Sequence, residues 1–168
     1  MRRYFIVLAS FCVVNISMLQ AQEMVKGKSF LNAGMGLFHG GLNVSFDYGL
    51  VDTWGPGVFT IGGYIGFGNW GILPSVHTEK DYRINAVAFA PRATYRYSIN
   101  DLFEIYGVAM LGSVFFSYTN HYKSNSDGLF VISAGGRYTF DSNIALFVEL
   151  AGGYKAISFL NGGVSFAF

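Results

Sequence analysis

The sequence has little charge, almost no cysteine and, after its first 21 residues, no long apolar run. Charged residues make up 12% of the 168 residues, and no run of basic residues marks a nucleic-acid partner. The single cysteine, Cys12, precedes residue 22, so the rest of the chain has neither a thiol nor a disulfide. Later apolar stretches, such as 86–91 and 144–148, fall far short of the ~18 residues that suggest a transmembrane helix. These absences argue against a nucleic-acid-binding protein, a fold that depends on disulfides and a helical membrane protein.

The N-terminus has the pattern of a secretory signal peptide. Two arginines precede an apolar run over residues 4–19, and Ala21 offers a small residue for cleavage. A membrane anchor is the alternative, but polar residues interrupt the run, which is shorter than the ~20 apolar residues of a spanning helix. We therefore predict a signal peptide at residues 1–21. Residues 22–168 show no composition break or low-complexity linker, so they are expected to form one domain.

Apolar residues and glycine, by contrast, are abundant. Hydrophobic residues make up 52% of the chain and aromatic residues 18%, and there are 22 glycines. A lipid bilayer tolerates only helices or closed barrels, because every backbone donor and acceptor must find an internal partner. Since no later segment fits a spanning helix, the composition favours a barrel.

Eight segments show the two-residue alternation of β-strands, and most approach the ~9–11 residues that a tilted membrane strand requires. An even number of strands is expected for such a barrel. The sequence therefore predicts an all-β fold, an eight-stranded antiparallel transmembrane up-and-down β-barrel. The predicted strands are 29–38, 43–50, 58–68, 84–97, 102–116, 129–140, 144–154 and 160–168.

The faces of these strands distinguish two kinds of barrel. In the last segment Leu160, Val164 and Phe168 share one face, while Asn161 and Ser165 share the other. An apolar exterior and a polar interior are typical of a membrane barrel. A soluble lipocalin-like periplasmic barrel that binds an apolar ligand is an alternative, and it needs the reverse arrangement.

Two strands carry features that make their facing uncertain. The fifth segment is apolar on both faces, and we place Glu104 inward on electrostatic grounds. Pro91 lies inside the fourth segment, where it cannot donate a ladder hydrogen bond. A β-bulge near Pro91 is the expected solution.

The lengths of the connections predict orientation, because membrane barrels keep short turns on the periplasmic side and longer loops outside. Two outer loops, 69–83 and 117–128, are long enough to recognise a ligand. The other predicted outer loops are 39–42 and 155–158, and the predicted inner turns are 51–57, 98–101 and 141–143.

Residues 90–97 (APRATYRY) and 147–154 (FVELAGGY), together with the terminal Phe168, resemble small outer-membrane barrels of the OmpX type and the glycine-rich barrels common in Bacteroidetes. The resemblance covers the mature chain and implies a monomer in the outer membrane of a Gram-negative cell, in contact with lipid and lipopolysaccharide. It also implies periplasmic chaperones and insertion by the barrel-assembly machinery, which reads a terminal strand ending in an aromatic residue, here Phe168. The family hosts adhesins, surface-defence proteins and lipid enzymes, so the resemblance specifies architecture better than activity.

Charged residues on the inward faces are the candidate site. We expect Arg96 to face Glu104 directly and Arg137 to lie diagonal to Glu149, within reach of long side chains. An eight-stranded interior is just wide enough for side chains to fill, so these charges are expected to form a packed ionic plug. A proton or ion path is the less favoured alternative. The inward charges are Asp47, Arg92, Arg96, Glu104, Arg137 and Glu149.

The sequence gives little support for a metal site or a catalytic site. His39, His77 and His121 lie in predicted outer loops without the spacing of a metal site. A lipid A-modifying acyl enzyme would need a histidine and a serine at the outer rim, and His121 with Ser117, Ser124 or Ser126 is the available set. We assign no catalytic residue, cofactor or metal. The expected role is structural, or surface interaction such as adhesion through 69–83 and 117–128, without an open pore.

Overall fold

The computed structural model describes residues 27–36, 41–50, 57–71, 83–118 and 121–168. The predicted signal peptide lies outside these residues. In the described part of the chain, eight antiparallel strands pair in chain order, and the last strand pairs with the first to close a barrel. The prediction of an all-β, eight-stranded antiparallel barrel is confirmed. The strands are β1 (Ser29–Gly36), β2 (Gly41–Gly49), β3 (Val58–Gly71), β4 (Arg83–Ser98), β5 (Phe103–Tyr118), β6 (His121–Asp141), β7 (Ile144–Tyr154) and β8 (Leu160–Ala167).

The predicted outer loop at 117–128 is wrong. β6 begins at His121 rather than at residue 129, and its first part pairs with the end of β5 from Ser113↔Gly128 to Ser117↔Ser124. Residues 121–128 are mostly polar, so the apolar alternation that predicts a strand is absent there. The backbone pairing with β5, which composition does not encode, makes this segment a strand.

The predicted bulge at Pro91 is also wrong. The pairs Phe89↔Ser113 and Arg92↔Met110 keep one register on both sides of the proline, and Pro91 pairs with Gly63 of β3. The ladder with β5 omits Ala90 and Pro91 instead. The missing N–H therefore interrupts the pairing without inserting a residue, and the facing of β4 continues unchanged.

The outer face of the barrel is apolar. Leu111 is 68% exposed, Ile132 57% and Val148 56%, and the neighbours of each on its strand face inward or are glycines. This is the opposite of the arrangement that a soluble ligand-binding barrel needs. Within the described residues, no helix is long and apolar enough to cross a membrane.

The interior has two halves of different chemistry. One end of the barrel, the turn end, carries the short connections 99–102 and 142–143, and the other, the loop end, carries 155–159. All six buried charges lie in the half toward the turn end. An apolar cluster begins at Tyr106, level with Arg96, and fills most of the half toward the loop end, where the buried amides of Asn43 and Asn161 also form a hydrogen bond of 3.2 Å. The cluster comprises Ala86, Ala88, Ala90, Tyr106, Val108, Met110, Val114, Phe116, Leu129, Val131, Ala151 and Ile157.

The connection between β7 and β8 folds back onto the apolar half. Gly153 has a φ of 141°, and a Cβ there would collide with the carbonyl oxygen of Phe130. Lys155 follows with a φ of 60°, a left-handed conformation that costs a non-glycine residue ~1–2 kcal/mol. Ile157 is only 5% exposed and packs into the apolar cluster, a burial that stabilises by about 1.5–3 kcal/mol. This burial offsets the backbone strain and holds the connection against the barrel interior.

Candidate functional site

The structure brings all six inward charges together in one network. Three arginines and three carboxylates alternate across the barrel, so their formal charges cancel. The contacts form a chain in the order Glu149 (β7), Arg92 (β4), Asp47 (β2), Arg96 (β4), Glu104 (β5) and Arg137 (β6).

Asp47 is the centre of the network. Its side chain is 0% exposed, and it bridges two arginines, with Arg92 Nε 3.2 Å from Oδ1 and Arg96 Nη2 2.9 Å from Oδ2. Asn32 donates a hydrogen bond to Asp47 Oδ2 at 3.2 Å, and Thr94 donates one to Oδ1 at 3.5 Å. Charged and neutral donors therefore surround this carboxylate, which compensates for the loss of water around it.

Arg96 contacts Glu104, but the expected direct opposition is wrong. The register places Tyr106 opposite Arg96 and Ser98 opposite Glu104, so the two charges are diagonal neighbours. The long arginine side chain still reaches, and Arg96 Nη1 donates to Glu104 Oε1 at 2.7 Å. Diagonal distances of about 7–8 Å between backbones are within reach of such side chains.

Arg137 lies diagonal to Glu149, as expected, but the two do not pair. Glu149 instead accepts hydrogen bonds from Arg92 at 3.0 Å and from Ser133 at 2.8 Å. Arg137 stands directly opposite Glu104 and is its partner, although at 3.8 Å the contact is too long for a hydrogen bond. The sequence placed these charges on the inner face but could not choose among the partners available there.

An aromatic ring supports the end of the network. Phe30 is 1% exposed, and the guanidinium carbons of Arg96 and Arg137 lie 4.4 Å and 4.7 Å from its ring centroid. Cations over an aromatic face gain about 2 kcal/mol when desolvated. Phe30 thus stabilises both cations.

The apolar half of the interior was not foreseen from the sequence. Its signals were present, because β5 is apolar on both faces and β4 begins with a run of alanines on its inner face. Small residues also make room for rings, since a Cβ at Gly135 would lie 2.5 Å from Cζ of Tyr106. An inward apolar cluster resembles a lipid-facing one in sequence, so only the closed barrel identifies the inner side.

At the loop end, four strands extend beyond the other four. β3, β4, β5 and β6 contain 14, 16, 16 and 21 residues, whereas β1, β2, β7 and β8 contain 8, 9, 11 and 8. The last pair between β6 and β7 is Phe130↔Tyr154, so residues 121–129 have no β7 partner. On the other side, His121 and residues 124–129 pair with β5. We call residues 121–129 the projecting edge.

The base of the projecting edge is fixed to the β7–β8 connection. Tyr154 donates a hydrogen bond to Asp127 at 2.9 Å, and Lys155 Nζ lies 3.6 Å from the same oxygen. Lys155 Nζ also lies 5.2 Å from the ring centroid of Phe116. The hydrogen bond from Tyr154, with the nearby Lys155, holds the pKa of Asp127 below its usual value, so this carboxylate stays charged at neutral pH.

The sets considered for metal binding and acyl chemistry gain no support. Within the described residues, no group of three or more His, Cys, Asp or Glu side chains could hold a metal ion. His39 and His77 lie outside the described residues, and the side chain of His121 is outside the described side chains. The backbone of Ser117 pairs with that of Ser124, on the ladder that forms the projecting edge.

A scan against protein-family models and a search of curated proteins found no match. Among solved structures, the chain is similar to the N-terminal β-barrel domain of Pseudomonas aeruginosa OprF, with a TM-score of 0.56 and 18% identity, covering 85% of this chain and 98% of that one. It is also similar to Ail, the attachment invasion locus protein of Yersinia pestis, in complex with the heparin analogue sucrose octasulfate. Here the TM-score is 0.52 and the identity 15%, covering 85% of this chain and 99% of that one. At these identities, the likeness establishes a shared barrel fold.

Proposed function

We propose that the protein is an integral outer-membrane barrel that mediates surface interaction through its projecting edge. The apolar outer wall supports the membrane assignment, because 29 large hydrophobic side chains within the described residues are exposed and a soluble protein rarely presents so many together. The similarity to the barrels of OprF and Ail supports the same compartment. In this arrangement the turn end faces the periplasm and the loop end faces outward.

The interior chemistry supports a closed barrel rather than a pore. The ionic network lies in the half toward the turn end, and the apolar cluster fills most of the half toward the loop end. A hydrated ion would have to displace paired charges and then cross an apolar segment. We therefore assign the six charges a structural role.

The length of β6 is the observation that carries the interaction role. A strand needs about 9–11 residues to cross a membrane, and β6 contains 21. Its extra residues form the projecting edge, which has no β7 partner on one side; at its base the N–H of Gly128 donates to Asp127 Oδ1 at 2.8 Å, which leaves residues 121–127 as the open part of the edge. An open strand edge can add a further strand from another polypeptide, which supplies main-chain hydrogen bonds.

The charge of the outer segments narrows the class of partner that the protein is expected to bind. Between them, 69–83 and 117–128 contain three basic and three acidic residues, Lys80, Arg83, Lys123, Glu79, Asp81 and Asp127. Ail was solved with a polyanionic heparin analogue, but this balanced charge gives no particular attraction for a polyanion. An extended peptide segment, recognised through its backbone, is the better fit.

Membrane insertion is tested by fractionation and gel mobility. Outer-membrane fractions are run on SDS gels with and without boiling, since a folded membrane barrel resists SDS until it is heated. We expect the protein in that fraction with a heat-dependent shift. Recovery from the soluble periplasm without a shift would overturn the membrane assignment.

Peptide addition is tested with a pair of proline variants at adjacent positions, Asn125→Pro and Ser126→Pro. Along an antiparallel edge, one of two adjacent N–H groups points to β5 and the other points away, so one proline breaks the ladder while the other blocks only the free edge. Amide exchange identifies which is which. Phage-displayed random peptides should enrich sequences with two-residue alternation on the parent protein, and the edge-blocking variant should lose them. Equal enrichment on the parent protein and on the edge-blocking variant would refute the proposal.

Two further assignments complete the proposal. Residues 1–21 act as a cleaved signal peptide, and Phe168 acts as the signal for the barrel-assembly machinery after delivery by periplasmic chaperones. Phe168 is 69% exposed, and its backbone pairs with Ser29 through bonds of 2.8 Å and 3.0 Å, so the aromatic ring faces outward from a fixed position. Phe168→Ala should lower the amount of inserted protein without changing its heat-dependent mobility.

A further inference from the structure

Arg137 lines a small cavity at the turn end. The cavity has a volume of about 60 Å³, and its lining includes Lys28, Asp101, Thr139 and Ser142 besides Arg137. Arg137 is 6% exposed, yet among the described residues it donates no hydrogen bond; its Nε is fully buried without a partner, as is the Nε of Arg96, whereas its two Nη atoms are not among the fully buried atoms. A buried arginine usually has its donors satisfied, so the free Nη groups of Arg137 point to an acceptor in the cavity.

Glu104 is not the acceptor that Arg137 lacks. Its Oε1 accepts from Arg96 at 2.7 Å, while its Oε2 lies 3.8 Å from Arg137 Nη1. The carboxylate is therefore held toward Arg96. Arg92 and Arg96 each contact two carboxylates at 3.2 Å or less, whereas Arg137, at the end of the network, stacks over Phe30 and has no carboxylate oxygen of the described residues nearer than 3.8 Å.

We propose that this cavity binds a monocarboxylate group, with Arg137 as the main recognition residue. A guanidinium presents paired donors that match a planar carboxylate. A single water needs ~10–15 Å³, so about 60 Å³ holds a few waters or one carboxylate head, and not a bulky ligand. Glu104 and Asp101 beside the site disfavour a dianion such as phosphate, while Lys28 at the mouth favours a single negative charge.

The carboxylate can come from a free small acid or from the C-terminus of a periplasmic peptide, because the turn end faces the periplasm in the proposed orientation. That orientation rests on the proposed function, whereas the cavity and its donors do not. Binding to purified protein therefore tests the site even if the surface role is wrong.

The experiment is an NMR titration of the refolded barrel in detergent micelles, observing the Nε–H of Arg137 and the backbone amides of Leu102 and Thr139. The probes are sodium acetate, N-acetyl-alanyl-alanine and the amide of that dipeptide, with sodium chloride at equal ionic strength as the salt control. We expect saturable shifts with the two carboxylates, in the millimolar range, and none with the amide. Saturation by the dipeptide alone identifies a peptide end as the ligand, and equal saturation by acetate identifies the bare carboxylate.

Two variants make the test decisive. Arg137→Lys keeps the charge but removes the paired donors, so the amide shifts should need at least about tenfold more carboxylate. Lys155→Gln removes a cation at the loop end and should leave the titration unchanged. Heat-dependent gel mobility verifies that each variant is folded. Shifts that rise without saturating, that appear equally with chloride or that persist unchanged in Arg137→Lys would overturn the proposal and leave a cavity filled by water.

Discussion

Removing the charge of Asp47 tests whether the ionic network stabilises the barrel as its geometry implies. Asp47→Asn keeps the shape of the side chain but withdraws one carboxylate from two arginines, at 2.9 Å and 3.2 Å. Each arginine keeps one other carboxylate partner, Glu149 for Arg92 and Glu104 for Arg96. The variant therefore leaves a net positive charge in a closed interior, where water cannot compensate for it.

Breaking a buried ion pair by removing one partner costs about 3–5 kcal/mol. With a urea dependence of about 1–3 kcal/mol per molar, the unfolding midpoint should fall by at least about 1 M. Reversible unfolding in lipid vesicles, followed by tryptophan fluorescence, measures this shift. Asp101→Asn is the matched control, since the same change at an exposed carboxylate outside the network should leave the midpoint within error.

A double-mutant cycle with Arg92→Gln separates loss of the pair from general damage. If the network acts as described, the second substitution should cost less in the Asp47→Asn background than alone, with a coupling of about 0.5–3 kcal/mol. An Asp47→Asn midpoint equal to that of Asp101→Asn would refute the reasoning. Strict additivity of the two substitutions would also contradict it.

Three other predictions follow from the interior and the projecting edge. Gly135→Ala should destabilise the barrel by about 1–3 kcal/mol because its Cβ would lie 2.5 Å from the ring of Tyr106, whereas Gly107→Ala, with open space around it, should be neutral in the same unfolding assay. Ile157→Ala should cost about 2–5 kcal/mol by leaving a cavity in the apolar half, while Phe159→Ala at a side chain that is 59% exposed should cost much less, and equal costs would contradict the packing. Alternate amides of residues 121–129 should exchange with solvent rapidly because β7 does not cover them, and uniform protection along this segment would mean that the edge is not open.

The sequence alone determined the bounds and the facing of strands that have lipid on one face and a packed interior on the other. β7 was predicted with its observed bounds, because its alternation of apolar and inward residues is unbroken from Ile144 to Tyr154. The inner facing of Asp47, Arg92 and Arg96 followed from the same two-residue period. This information is local, since a strand with lipid on one side and a packed interior on the other must alternate.

Tertiary structure decided what alternation does not encode. Residues 121–128 form a strand because β5 supplies backbone partners, and their polar composition gave no sign of it. Register made Arg96 a diagonal neighbour of Glu104 and gave Arg137 the distant end of the network, although all were correctly placed on the inner face. The division of the interior into a charged half and an apolar half likewise needs the closed barrel, because an apolar residue fits either lipid or a packed interior. Which face a residue takes is a property of its own strand, but its partner depends on how eight strands align.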